Sequence, residues 1–243
     1  MMMTAMASAA AITPANSSSL NHVFMMLADD WGSYDASFRI RQLGREPDVA
    51  TPVIDGLAQR GLTFDNYYVQ PICTPTRASL LSGRYSIHTG SEHILFGAFE
   101  PSCLPVELPL MPTAFKAIGY QTHMIGKWHI GYVNESCAPW GRDFDSYIGY
   151  LGGNEGYYQH GAGGFWDWHA CGLGGDGGRP GNATRSAGAA PSACDDCSTV
   201  HAGEYSTTVY TRRAQSLIEG WRAGEPALFV YLAWQAVSSH ELR

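Results

Sequence analysis

An α/β fold, with a central sheet flanked by helices, follows from three features of this 243-residue sequence. Short continuous apolar runs at Val23–Leu27 and within Ala227–Trp234 have the unbroken hydrophobicity of strands covered on both faces. Segments with helical apolar spacing and helix punctuation lie between them. Two adjacent carboxylates, Asp29 and Asp30, close the first run, and the carboxyl end of a strand is where open α/β sheets place ligands. Hydrophobic residues at 45% and aromatics at 12% belong to a globular chain, long enough to bury a sizeable core as one large domain or two small ones. A net charge of −7 without a basic cluster gives no electrostatic footprint for nucleic acid. No apolar run reaches the length of a membrane span. Any anion must therefore be held by local geometry.

Taken in order, Met1–Leu20 is alanine- and serine-rich and lacks the basic n-region of a signal peptide; it is expected to be a poorly ordered leader or tail. His22–Asp30 is a strand, predicted to lie centrally. Its carboxylates repel unless a cation lies between them, which makes Asp29 and Asp30 candidate metal ligands, a solvated strand end being the alternative. Thr51-Pro52 opens a helix with Ile54, Leu57 and Ala58 on one face and Gly61 at its end. Leu62–Val69, rich in aromatics, reads as a strand leading to the next helix.

That helix starts in Pro71–Gly83. Pro75 fits a first turn, where its missing N–H costs nothing, and Gly83 fits the position that ends the helix. Cys73 then sits at the helix N-terminus, where free N–H groups and the dipole favour negative charge. Arg77, one turn along, adds a fixed positive charge. The pattern is an anion site with a nucleophile candidate at a strand–turn–helix junction; a capped surface helix with a buried cysteine is the plain alternative.

Residues 84–109 read as irregular connections, and Met111–Ile118 as a short helix stopped by Gly119. The segment 119–129 begins as a strand. If the strand continues, Lys127 and His129 share a face, where a lysine stabilises an oxyanion and a histidine moves a proton. Residues 161–191 are Gly/Ala-rich and read as a flexible insertion. Tyr205–Trp221 is a helix and Ala227–Trp234 the second buried strand.

These residues also carry a resemblance. Cys73-Thr74-Pro75-Thr76-Arg77, followed by apolar residues and Gly83, resembles the sulfatase signature Cys-x-Pro-[Ser/Thr]-Arg, with Ser82 as its departure. Gly119-Tyr120-Gln121-Thr122-His123-Met124-Ile125-Gly126-Lys127-Trp128-His129 resembles the family's second signature, and the two stand in the family's order. Arg142–Tyr150 is similar to a segment of the arylsulfatase B-like members, with Asp143 in place of a glycine. The resemblance covers residues 21–237 and implies an alkaline-phosphatase-like α/β fold with a mixed central sheet.

It further implies a sulfuric ester hydrolase. Cys73 is oxidised to formylglycine by the formylglycine-generating enzyme, and its hydrate is the nucleophile. Asp29, Asp30 and the Cys73-derived group hold calcium. Arg77 fixes the nucleophile's geometry, Lys127 binds sulfate and His129 assists proton transfer. His240, displaced from the family position, is a candidate substrate contact. The substrate is a sulfated small molecule or glycan. Family members carry further metal ligands downstream, so residues 21–243 are expected to be the N-terminal portion of a catalytic domain and to turn over aryl sulfate negligibly alone. A phosphate-ester hydrolase of the same superfamily and a non-catalytic sulfate-binding relative are the alternatives.

Six cysteines and the sequons at Asn16, Asn134 and Asn182 lean toward a glycoprotein of the secretory pathway, lysosomal or extracellular. The resemblance pairs Cys103 with Cys137. Cys171 is then left to pair with Cys194 or Cys197. A zinc reading of Cys194 and Cys197 lacks a second ligand pair.

Overall fold

A computed structural model describes residues 20–93, 95–97, 100–172 and 201–238. Its strands are β1 (Val23–Leu27), β2 (Gln121–Gly126), β3 (Ser146–Gly149), β4 (Gly161–Ala162), β5 (Phe165–Trp166), β6 (His169–Cys171) and β7 (Leu228–Ala233). The helices are α1 (Ser37–Gln42), α2 (Pro52–Arg60), α3 (Cys73–Ser82), α4 (Met111–Ala117) and α5 (Ser206–Gly220). The main sheet runs β1-β7-β2-β3-β6. The first four strands are mutually parallel and β6 is antiparallel to β3, so the sheet is mixed.

Strand β7 is buried throughout and its alternation builds both layers. Phe229, Tyr231 and Ala233 face the side covered by Ala78 and Leu81 of α3 and Phe115 of α4. Leu228, Val230 and Leu232 face Val209, Tyr210, Ala214 and Leu217 of α5. The expected helix-flanked sheet is thus present, with β7 and β2 at its centre. Strand β1 is an exception to the sequence expectation. Among the described strands it pairs with β7 alone, at the edge of the described sheet, and Met26 is 55% exposed there. An apolar run reports the preference for burial; which neighbours arrive on each side is decided elsewhere in the chain.

Two further expectations need correction. Leu62–Val69 forms no strand, and Leu62, Phe64, Tyr67, Tyr68 and Val69 are all exposed. Aromatic content satisfies a strand only where a neighbouring edge accepts its hydrogen bonds, and here none does. Cys73 therefore follows a loop. The Gly/Ala-rich stretch is structured from its start: β4 and β5 form a hairpin, and β6 extends the main sheet. Its remainder, 173–191, lies outside the described residues, as do Met1–Ser19. On α2, Ile54 and Leu57 stay largely exposed and the buried residue is Asp55, whose carboxylate accepts hydrogen bonds from the Ser37 hydroxyl and the Phe38 N–H.

A disulfide joins Cys103 to Cys137, as the resemblance implied. It closes a loop with a sequence separation of 34, beside a bridge pairing Cys103 with Gly131. Chain entropy gives such a loop about 3–4 kcal/mol. The Cys103→Ala/Cys137→Ala double variant is expected to lose that amount in denaturant unfolding; a loss near zero would place the bridge among the strained ones. Cys171 is also disulfide-bonded. The pairing expected of it, with Cys194 or Cys197, lies outside the described residues.

The parallel strands all end on one side, and this gathers the site. Strand β1 delivers Asp29 and Asp30, β2 delivers Lys127, β3 delivers residues 150–154 and β7 delivers Gln235. Gly126, with φ +97, turns the chain out of β2 so closely past β7 that a Cβ there would lie 1.9 Å from the Ala233 carbonyl oxygen. Only glycine fits that crossing.

Candidate active site

Helix α3 begins at Cys73 and ends at Gly83, whose φ of 65 is the left-handed cap expected. Its N-terminus points its free N–H groups at the strand ends. Thr74, fully buried, donates its hydroxyl to the His129 carbonyl at 2.9 Å and ties the helix start to the chain beyond β2. Half-buried Cys73 has the Lys127 ammonium 3.3 Å from its sulfur and Asp29 Oδ1 at 4.0 Å.

Asp29 is the hub. Its Oδ2 accepts from Lys127 Nζ at 2.7 Å and its Oδ1 from Arg77 Nη2 at 3.2 Å, and all three side chains are buried. Arg77 also donates to the Lys127 carbonyl at 3.0 Å. Two buried cations against one carboxylate leave a net positive cluster at the cysteine, which suits an anion in a region of low dielectric. Arg77 acts through Asp29 and the Lys127 backbone; the spacing of Cys73 and Arg77 does not show this, because the intermediary comes from β1.

The expectation that Lys127 and His129 share a strand face is not met. Strand β2 stops at Gly126, and His129 adopts φ 56, so alternation has no meaning there. Both side chains still reach the site by separate routes. The Lys127 N–H bonds the Ala233 carbonyl and the His129 N–H bonds the Leu151 carbonyl, so one is held by β7 and the other by the segment after β3. Gly153 packs on the His129 ring; a Cβ there would lie 2.7 Å from Cε1 and Nε2. Buried His129 Nδ1 has no hydrogen-bond partner among the described residues.

Burial, and then the charges of Lys127 and Arg77, lower the His129 pKa to about 3. His129 is therefore neutral near pH 7. Burial and Arg213 lower His123 likewise to about 3. Glu155, buried and hydrogen-bonded by the Tyr210 hydroxyl, is raised to about 7. The unfolded chain protonates each histidine near pH 6.5, while the folded protein refuses the proton down to about 3. Each histidine's contribution is thus whole above pH 6.5 and falls by roughly 1.4 kcal/mol per unit below it. Glu155 works in the opposite sense between about 7 and 4.5, since its folded form keeps a proton that the unfolded form releases. It cancels about one histidine. His160, whose pKa the Glu155 carboxylate raises against its burial, opposes the loss as well; stability is expected to fall by at most roughly 2 kcal/mol from pH 6.5 to 5, read from denaturant midpoints, and a rise over that range would contradict the buried neutral imidazoles.

Asp30 accepts from the Ser238 hydroxyl at 2.8 Å and, like Asp29 and Cys73, borders a cleft of about 220 Å³. Among the described residues no group of three or more His, Cys, Asp or Glu forms a ready metal cluster. His240 lies outside the described residues. A second, larger cleft of about 640 Å³ is also bordered by Cys73, together with His129. The β4–β5 hairpin also lines it, a wall no sequence pattern announces because two-residue strands carry no periodicity.

The sulfatase family pattern matches residues 21–240. The chain belongs to the sulfatase family. It is 38% identical over 218 residues to Arylsulfatase J of Mus musculus, covering 90% of this chain and 32% of that protein. N-acetylgalactosamine-6-sulfatase of Homo sapiens is 33% identical over 137 residues, 53% of this chain and 25% of that one. The sulfatase chain therefore spans about a third or less of the length of these relatives. In three dimensions it is similar to the crystal structure of Ps i-CgsB in complex with k-i-k-neocarrahexaose, with a TM-score of 0.69 and 26% identity over 90% of this chain and 46% of that one. The alkaline-phosphatase-like architecture implied by the two signatures is the one observed.

Proposed function

We propose that this sulfatase hydrolyses sulfate esters at Cys73, after oxidation of that residue to formylglycine. The observation that supports the reading most is the buried Lys127–Asp29–Arg77 cluster set against the sulfur of Cys73. Formylglycine as its hydrate supplies an oxygen nucleophile for sulfur and afterwards releases sulfate by returning to the aldehyde, which an ordinary thiol cannot do. Lys127 holds the sulfate through charge. Arg77 keeps the Asp29 carboxylate and the Lys127 backbone in place. His129, which borders the same cleft as Cys73, is placed to assist proton transfer once an anion at the site offsets the Lys127 and Arg77 charges that hold it neutral.

Calcium takes oxygen ligands, usually about six to eight, and suits this donor set once the sulfur is replaced by hydrate oxygens. Asp29, Asp30 and residue 73 would hold it in the smaller cleft, where its charge would strengthen sulfate binding. Asp29 is already paired with Lys127 and Arg77, so Asp30 and the hydrate oxygens at residue 73 would have to supply the negative charge that faces the ion. Passage through the secretory pathway, to a lysosomal or extracellular destination, goes with this reading. It brings the chain to the formylglycine-generating enzyme and suits the Cys103–Cys137 disulfide and the exposed sequon at Asn134. Among the described residues no helix is long and apolar enough to cross a membrane.

Peptide mass analysis of the tryptic fragment ending at Arg77, after co-expression with the generating enzyme, is expected to show conversion of the thiol to the aldehyde or its hydrate. A fragment that stays wholly thiol would remove the sulfatase chemistry and leave a phosphate-ester hydrolase or a non-catalytic binder.

A further inference from the structure

We propose that Glu155 and His160 are positioning residues, a buried pair behind the candidate site whose shared proton holds the segment 150–160 against His129 and against the end of β7. The inference concerns the frame of the site and does not depend on the ester it takes.

Glu155 and His160 are both 0% exposed, and His160 Nδ1 lies 3.7 Å from Glu155 Oε2. Neither atom has a hydrogen-bond partner among the described residues. The far end of each group is fixed. The Tyr210 hydroxyl of α5 donates to Glu155 Oε1 at 2.6 Å, and His160 Nε2 donates to the His201 carbonyl at 2.9 Å. With its Nε2 proton so engaged, the imidazole turns Nδ1 to the carboxyl group. A proton is then needed between them, because without it a carboxylate oxygen faces a ring lone pair in a region without water. His160 also adopts φ 54, a conformation uncommon for a residue with a side chain and kept only where the surroundings hold it.

The pair ties together segments that carry site groups. The Glu155 carbonyl accepts from Gln235 Nε2 at the end of β7, and the Tyr157 hydroxyl donates to the Ser238 carbonyl at 2.8 Å. Ser238 in turn donates to Asp30. At the other end of the segment, the Leu151 carbonyl accepts the His129 N–H and Gly153 packs on the His129 ring. A loosened pair therefore frees both the histidine and the strand end beside Asp30.

The groups facing the pair favour its protonated forms. Burial, helped by Asp167, raises Glu155 to about 7 against the hydrogen bonds of His160 and Tyr210. Burial lowers His160, but the Glu155 carboxylate, the His201 carbonyl and Glu204 outweigh it and hold it above 6.5. Tyr147, Tyr150 and Tyr210 are kept neutral by their own burial and by Glu155. An opened segment releases the Glu155 proton from about pH 4.5 upward, and the closed one keeps it to about 7. The closed form's advantage is thus whole below 4.5 and lost as pH rises to 7.

Hydrogen–deuterium exchange of the purified chain at pH 5.5 and 7.5, corrected for intrinsic rates, tests the pair. Protection of residues 150–160 and of the His129 N–H is expected to be on the order of tenfold greater at pH 5.5, with no such gain in residues 228–233. Glu155→Gln donates to His160 Nδ1 as the protonated carboxyl does and carries no charge, so it should remove the pH difference. Tyr210→Phe deletes a donor to the carboxylate and should move the transition to higher pH; it decides the matter if Glu155→Gln does not fold. A flat or reversed profile in the parent, an unchanged one in Glu155→Gln, or a transition that stays in place in Tyr210→Phe would overturn the assignment. A gain confined to 150–160, with none at His129, would overturn the link to the site. Conversion of Cys73 is read separately by mass, so the pair and the sulfate-ester reading fail independently.

Discussion

Asp29→Ala is expected to destabilise the protein by about 3–5 kcal/mol, because it leaves two buried cations without their counter-charge. Lys127 is fully buried and Arg77 is 2% exposed, so neither can turn to water for compensation. For a chain of this size the loss amounts to a fall of roughly 6–20 °C in Tm. The origin can be isolated. Adding Lys127→Met to Asp29→Ala removes one stranded charge, so the double variant should be more stable than Asp29→Ala alone. If instead the two losses simply add, the buried pair at 2.7 Å contributes nothing beyond its separate parts, and the electrostatic account of the cluster is wrong. Arg77→Met in the same background should rescue less, since Arg77 keeps its hydrogen bond to the Lys127 carbonyl.

Cys73→Ala is expected to bring even the small sulfate-ester turnover expected of this chain down to the uncatalysed rate, since loss of a hydrolase's nucleophile costs on the order of 10⁶-fold. Cys73→Ser is the sharper case. It keeps the shape and the contact distance to Lys127, yet an unmodified hydroxyl has no aldehyde to return to and cannot release sulfate by that route. Both variants should bind inorganic sulfate as the parent does, because Lys127 and Arg77 are untouched. Turnover by Cys73→Ser within tenfold of the parent would show that residue 73 acts without conversion, as in the phosphate-ester alternative.

The candidate site was largely legible in the sequence because its chemistry is written in short, contiguous segments. Cys73, Pro75, Arg77 and Gly83 fall at spacings that a helix start and stop require, and the structure places that helix there. Asp29 and Asp30 close an apolar run, and Lys127 follows the strand that Gly126 ends, so each stands at the carboxyl end of a strand. Local propensity and punctuation are enough for this, since a strand's end and a helix's cap depend on neighbouring residues only.

What joins those segments depended on the tertiary structure. The sequence holds no record that Asp29 sits between Lys127 and Arg77, residues 98 and 48 positions away, because their contact comes from parallel pairing of β1 and β2 with β7. Which strands β1 meets is decided by other segments and not by its own apolar residues, and among the described residues the aromatic segment after α2 pairs with no strand. Trp166 and His169 lie in a glycine-rich stretch whose strands of two and three residues are too short to leave a period. The sequence by itself determined the candidate site groups and their helix and strand ends, through local backbone chemistry. Only the tertiary structure decided the charge balance around Cys73 and the aromatic cleft beside it, because both are made of residues that are neighbours in space alone.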